Sequence, residues 1–364
     1  MERKKSTRLS TVAVLLVVAA LCVGAFLLAR TIAQGRPTML RGATQTPAFA
    51  NQHIEILGNG ILYYDGASLH ALDDRARQMW SYSVGINAGF SVGTGGVAAW
   101  ANEQLSLLNA EQGLTLYSGN VGGQVLDARI GTQFAAVQTG TEHNSTLVIM
   151  DHGGRQVDKI DLPNQTVLDF GFFNNDTLVW VMNLNTEGTV PTCSITTYRP
   201  NRMQTGTITD ENQVLYDVVF QSTKIRAVGT DYIKDYEYTT KEIPANRMLV
   251  YGWYLMGIDE RSDNPLMAFV PVDQADSSTG INDLRMIRGQ TDQWVRLPYA
   301  AHNVLVLDDT VYAFNNQYAM ITRLGNLTPT SYMLPIYADR VLGVTANRSA
   351  VVASGGIVYL LPLG

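Results

Sequence analysis

Three aspartates recur at matching places in a repeating chain: Asp127 in VLDA, Asp169 in VLDF and Asp217 in LYDV. Carboxylates brought together by one framework can hold a cation, exchange protons with a substrate, or raise one another's pKa by repulsion. On that reading they are channel carboxylates of an extracytoplasmic enzyme or ligand sensor. The alternative is a repeated hydrogen bond that closes an inner strand onto its next turn, and recurrence at one position of successive units favours this structural role. A second oxygen-rich group, Asp273, Asp276, Ser278, Asn282 and Asp283, lies in DQADSSTGIND. Calcium takes such hard ligands, but the spacing is not that of an EF-hand, so a long solvated hairpin loop is expected. Asp65, Asp73 and Asp74 are explained by turn chemistry.

Other chemistry has little material. His53, His70, His143, His152 and His302 are scattered, without HExxH, and no GxSxG elbow is present. His143 and His152 fall in or near turns, while His70 sits inside the strand SLHALDD as a packing or edge residue. Cys193 is the only cysteine after Cys22. We therefore expect no catalytic residue, no cofactor and no metal site, and a non-enzymatic role.

The elements that position these residues repeat from about Gln52 onward. The first unit reads HIEILG, ILYYDG, SLHALDD and QMWSYSV, four strands closed by Gly, Asn or Asp. First strands recur near residues 54, 90, 125, 167, 214, 254, 303 and 341, in steps of 35 to 49 residues. Four-stranded propeller blades have this period. No helix-period stretch follows residue 33, which excludes a parallel βαβ fold, and eight serial units favour a propeller over sandwiches. The expected fold is thus all-β, an eight-bladed propeller, with seven or nine blades as alternatives. The eighth unit has only three strands, and an open ring would expose unpaired edges. The segment between Arg36 and Ala50, around Pro37–Gly42, is expected to return and complete it.

Several units carry a turn signature between third and fourth strands. Ala71, Asp73 and Trp80 fit Ala-x-Asp-x-x-Thr-Gly followed by Trp, with one deletion; Leu107, Asn109, Gln112, Gly113 and Tyr117 fit its spacing. Asp151 and Gly154 match in part, and Trp253 and Trp294 are read as fourth-strand aromatics of degenerate blades. This pattern resembles quinoprotein-like, PQQ-repeat and WD40-like propellers, in which a tight turn and an aromatic wedge join neighbouring blades. The whole chain resembles an uncharacterised family of Gram-positive, chiefly clostridial, single-span envelope proteins with such a propeller. That resemblance implies fold and topology and supplies no catalytic residues. Quinone-cofactor dehydrogenases of this fold carry adjacent cysteines and a metal-binding carboxylate set, which this chain lacks.

Placement is read from the N-terminus. Leu9 to Ala29 contains no charge, and 21 residues of helix span roughly 30 Å, a bilayer core. Arg3, Lys4, Lys5 and Arg8 precede it, which predicts a cytoplasmic N-terminus and an outer propeller. The expected organisation is a basic tail over 1–8, a signal anchor over 9–33, a linker over 34–51 and the propeller over 52–364. The expected location is the plasma membrane, single-pass. Residues 42–364 carry 19 basic and 31 acidic side chains, a balance of −12. Nucleic acid is therefore excluded as a partner. A binding or scaffold module for an envelope protein or cell-wall polymer is the reading that remains, since the eight-residue tail is too short to hold a signalling domain.

Overall fold

The computed structural model describes residues 37–186, 192–221, 224–259, 264–275 and 280–363. The Leu9–Ala29 segment lies outside them, and among the described residues no helix is long and apolar enough to cross a membrane. The chain divides into two compact units, Met1–Met39 and Leu40–Gly364. Of the first, only residues 37–39 are described, with the short strand Thr38–Met39.

The second unit is an eight-bladed propeller of four-stranded antiparallel blades. First strands are Ile54–Leu57, Gly89–Gly93, Val125–Ile130, Thr166–Phe173, Leu215–Gln221, Trp253–Ile258, Asn303–Leu307 and Arg340–Val344, here blades 1 to 8. Each starts within one residue of the position expected from the repeat. Short apolar strands of this type cannot bury both sides alone, so neighbouring blades do it for them. One apolar cluster joins blades 3 and 4 through Ala136, Ile149, Phe170 and Val181. Another joins blades 4 and 5 through Leu178, Ile195, Leu215 and Ile225.

Blade 8 is completed by Thr44–Phe49, which pairs antiparallel with Ile357–Pro362. The closing strand thus falls within the expected segment between Arg36 and Ala50, though beyond its Pro37–Gly42 part. Pro47 disguises it, because proline removes a ladder donor and argues against a strand. As the end strand of its sheet it can spare that donor, and the pairing is interrupted between Gln45 and Phe49. Thr46 compensates: its buried hydroxyl donates to the Val358 carbonyl oxygen (2.9 Å) and accepts from the Ala48 N–H (3.2 Å).

The first strands are innermost, and five of them bear a one-residue bulge. Pairing shifts by one residue between Val125 and Asp127, Val167 and Asp169, and Leu215 and Asp217, with Leu126, Leu168 and Tyr216 as the extra residues. The same shift occurs between Leu255 and Gly257 and between Val341 and Gly343. An extra residue bends its strand and re-aims the side chains beside it.

The signature turns are real structure. Asp73 Oδ1 accepts the N–H groups of Arg75 and Arg77 (2.9 Å each), Asn109 Oδ1 those of Glu111 and Gln112, and Asp151 Oδ1 those of Gly153 and Arg155. Trp80, on the fourth strand of blade 1, donates its indole N–H to Ala110 of blade 2 (2.9 Å). Trp294 does lie on a fourth strand, but Trp253 opens the first strand of blade 6. The two rings meet edge-on at 4.8 Å.

The ring has two unlike faces. One carries the turns between second and third strands together with the connections from blade to blade; we call it the linker face. Backbone bonds stitch these two kinds of loop together, as in Val84 N–H to Ala67 (3.1 Å), Val121 to Glu103 (3.1 Å), Thr230 to Val214 (3.0 Å) and Ala338 to Asn316 (2.9 Å). The other, the turn face, carries the first-to-second and third-to-fourth turns.

Candidate functional site

The three recurring aspartates all lie within the first four residues of their strands, toward the linker face. Their neighbours Ala128, Phe170 and Val218 pack into clusters shared with the preceding blade. Strand alternation therefore turns each aspartate toward the following blade, at the innermost edge of its sheet.

Each aspartate closes its own bulge. Asp127 Oδ1 accepts the Ala128 N–H at 2.7 Å, Asp169 Oδ1 the Phe170 N–H at 2.8 Å, and Asp217 Oδ1 the Val218 N–H at 2.6 Å. A bulge withdraws backbone groups from the ladder, and a carboxylate one residue earlier is well placed to satisfy one of them.

Asp127 and Asp169 also share a cation. Arg129 reaches Asp127 at 3.1 Å and Asp169 of the next blade at 3.7 Å, and its guanidinium lies 6.0 Å from the Phe170 ring centre. The Asp127 side chain is 28 % exposed and that of Asp169 50 %, so solvent reaches both. Burial pushes both carboxyls above the ordinary aspartate value; the Arg129 charge and the backbone N–H groups oppose it. At Asp127, the charges of Asp169 and Glu55 push the same way as burial. Asp217 sits beside Tyr216, whose hydroxyl accepts the Leu255 N–H of blade 6 at 3.1 Å. The structure thus brings two of the three aspartates to one guanidinium, while the third, Asp217, closes its own bulge in blade 5.

Arg129 and Glu55 complete this inner set and were not singled out from sequence. The available signal was the D-x-R spacing of Asp127 and Arg129, which puts both on one side of a strand. Glu55 Oε2 accepts the Val92 N–H of blade 2 (2.7 Å), the Ser91 hydroxyl donates to Ala128 of blade 3 (2.5 Å), and Asn303 donates to Val341 of blade 8 (2.7 Å). Inner-strand polar groups therefore latch one blade to the next at five junctions, and Asp169 is the partner at one of them.

The remaining candidates do not gather. His70 bonds Asp65 at 2.8 Å and stacks on Tyr63, His143 meets the Thr166 hydroxyl at 3.0 Å, and His152 meets the Gly131 carbonyl oxygen at 3.0 Å. Burial pushes the Cys193 thiol up to about 11, which keeps it protonated and a poor nucleophile. Asp276 and Ser278 lie outside the described residues. Asp273 follows Val272 in the short helical turn Val272–Ala275, and Asn282 and Asp283 are on the third strand of blade 6. Among the described residues no group of three or more potential ligands is clustered to hold a metal. A recess of about 260 Å³ at blade 7 and the connection that follows it is lined by Asn316, Tyr318, Leu334 and Tyr337 and contains none of the aspartates.

No protein-family model matches the chain, and no curated protein matches it in sequence. Solved structures do. BamB from Moraxella catarrhalis is 12 % identical over 88 % of this chain and 100 % of its own, with a TM-score of 0.52. The C-terminal WD40 domain of Sif2 is 10 % identical over 91 % of this chain and 100 % of its own, at 0.61. Sqt1 of Saccharomyces cerevisiae is 9 % identical over 90 % and 99 %, at 0.57. At these identities the likeness is one of fold: a β-propeller of the WD40-like kind.

Proposed function

We propose that this chain is a non-catalytic binding and scaffold module of the cell envelope, held on the plasma membrane by its N-terminal segment with the propeller outside. The observation that carries the reading is the engagement of the inner polar residues. Glu55, Ser91, Arg129, Tyr216 and Asn303 each reach into the following blade, so the axis is braced and the loops are what the ring presents. Rigid rings that display variable loops suit recognition. The likeness to BamB and to WD40 domains supports the fold on which this rests. The anchoring and its direction rest on the uncharged run from Leu9 to Ala29 and the basic cluster before it, and on the resemblance to clostridial single-span envelope proteins.

Protease added to intact spheroplasts should digest or release the propeller. A C-terminal tag that stays fully protected would overturn the outer placement. The second reading, an enzyme or ligand sensor with a carboxylate-lined axis, draws on the raised pKa values of Asp127 and Asp169. It requires that their replacement abolish a ligand response without loosening the ring, which thermal melts of the same variants would report.

A further inference from the structure

We propose that the linker face is a docking surface for a partner protein segment in which lysine or arginine alternates with aliphatic side chains. This deepens the binding-module reading and rests on it.

Charge is divided between the two faces. Every Lys or Arg in a described turn within a blade lies on the turn face, among them Arg77, Arg155, Arg202, Lys241 and Arg348, and no described blade-to-blade connection carries one. There most have carboxylate partners: Arg77 with Asp73, Arg155 with Asp151, Arg247 with Glu242. The described loops of the linker face contain no Lys or Arg. They carry Glu103, Glu142, Glu211, Asp231, Asp273 and Asp339, spread around the ring. Asp127 and Asp169 add further negative charge toward the axis, offset only by Arg129. Two cations stand near the edge of this face: Arg340 opens a strand beside Asp339, and the exposed Arg41 follows Leu40, whose N–H bonds the Met333 carbonyl oxygen.

The same face exposes apolar side chains where loops ordinarily expose polar ones. Ile86, Val214 and Tyr251 stand on blade-to-blade connections, 71 %, 54 % and 74 % exposed. Leu168 and Tyr254, on first strands near their starts, are 47 % and 44 % exposed. Leu168 owes its exposure to the bulge, which turns out of the sheet a residue that an even strand would have buried. Large apolar groups set among charges of one sign mark an interaction surface. The sign selects the partner: nucleic acid, anionic lipid and anionic polymers are repelled, and a small polyamine would leave the leucines and tyrosines uncovered. A basic segment with aliphatic side chains satisfies both features, and attraction at range would speed its capture.

The test uses the full chain in its own membrane, with a photo-crosslinking residue placed at Leu168, at Tyr251, or at Leu327 on the turn face. Adducts are expected from the first two positions and not from Leu327, and mass spectrometry should find net positive charge in the partner peptide recovered. Yield should fall about tenfold between roughly 0.05 M and roughly 0.5 M salt, as screening removes the attraction. The variant Glu142→Lys/Glu211→Lys/Asp273→Lys should reduce it similarly, while Asp74→Lys/Glu111→Lys/Asp309→Lys on the turn face should not. Adducts only from Leu327, or a neutral or acidic partner peptide, would overturn this face while leaving the binding module standing. Adducts from none of the three positions would remove the binding reading itself.

Discussion

The indole of Trp80 lies against the α-carbon of Gly113 so closely that a β-carbon there would sit 2.6 Å from the ring. Trp80 belongs to blade 1 and Gly113 to the turn of blade 2, so one aromatic ring and one missing side chain make the junction. Tyr117 and Gly154 repeat it between blades 2 and 3, at 2.0 Å. Gly113 also has φ +66°, a region that disfavours any side chain.

Gly113→Ala should therefore destabilise the ring by about 2 kcal/mol or more, combining backbone strain with displacement of Trp80. Gly58, at φ +57°, has open space where a β-carbon would go. Gly58→Ala should lose only about 1 kcal/mol. Equal losses in denaturant melts would show that the wedge contributes nothing.

Asp127→Ala and Asp169→Ala should each destabilise by about 1 kcal/mol, since each strips an acceptor from a bulge N–H, and the Asn variants should restore most of it. Asn keeps the acceptor oxygen and sheds the charge that burial opposes. If the alanine variants instead melt higher than the parent, repulsion dominates and the second, ligand-site reading gains.

Blade 5 holds an ion pair deep in its sheet. Arg226 and Asp235, 3 % and 1 % exposed, join through two bonds of 2.7 and 3.0 Å, with Asn246 donating a third to Asp235 at 3.0 Å. Arg226→Met should cost about 3–5 kcal/mol by leaving a buried carboxylate without its cation. The double variant Arg226→Met/Asp235→Leu should recover most of that loss. A single variant within about 1 kcal/mol of the parent would contradict the pair's burial.

Acid should loosen the turn at Asp65. The N–H groups of Ser68 and Ala67, and then His70, hold its carboxyl at about 2, below the ordinary value near 4. A depressed folded pKa means stabilisation that is complete above the unfolded value and vanishes as pH falls from there toward about 2. The difference in Tm between parent and Asp65→Asn should hold steady above about pH 5 and shrink below it. A difference that widens on acidification would refute the assignment.

Removing residues 44–49 should lower Tm markedly, because blade 8 would lose its end strand and expose the ladder of Ile357–Pro362. Removing residues 37–39 tests the alternative and should have the smaller effect. The reverse ranking would move closure to the Pro37–Gly42 part of the expected segment.

The eight first strands were legible because alternation and turn residues are local signals, and Val125, Asn303 and their counterparts begin where the repeat predicts. The turns at Asp73, Asn109 and Asp151 were legible for the same reason. The return of the segment between Arg36 and Ala50 was legible from the missing strand of blade 8, but its exact strand, Thr44–Phe49, was not, since Pro47 masks its pattern. Arg129 escaped notice because its meaning depends on Asp169 standing one blade away. The sorting of Glu142 and Arg155 to opposite faces is likewise invisible until the topology assigns each loop to a side.

The Thr46 hydroxyl bonds a carbonyl 312 residues further along. At about 5–20 residues per second of synthesis, roughly 15–60 s separate the two groups' emergence from the ribosome. For that interval the first-made strand has no ladder to join, while the early blades can already stack on one another. The ring can therefore lock only once Val358 and its strand have emerged. Until then Phe49 and the open edge are a target for chaperones or for another copy in the same state.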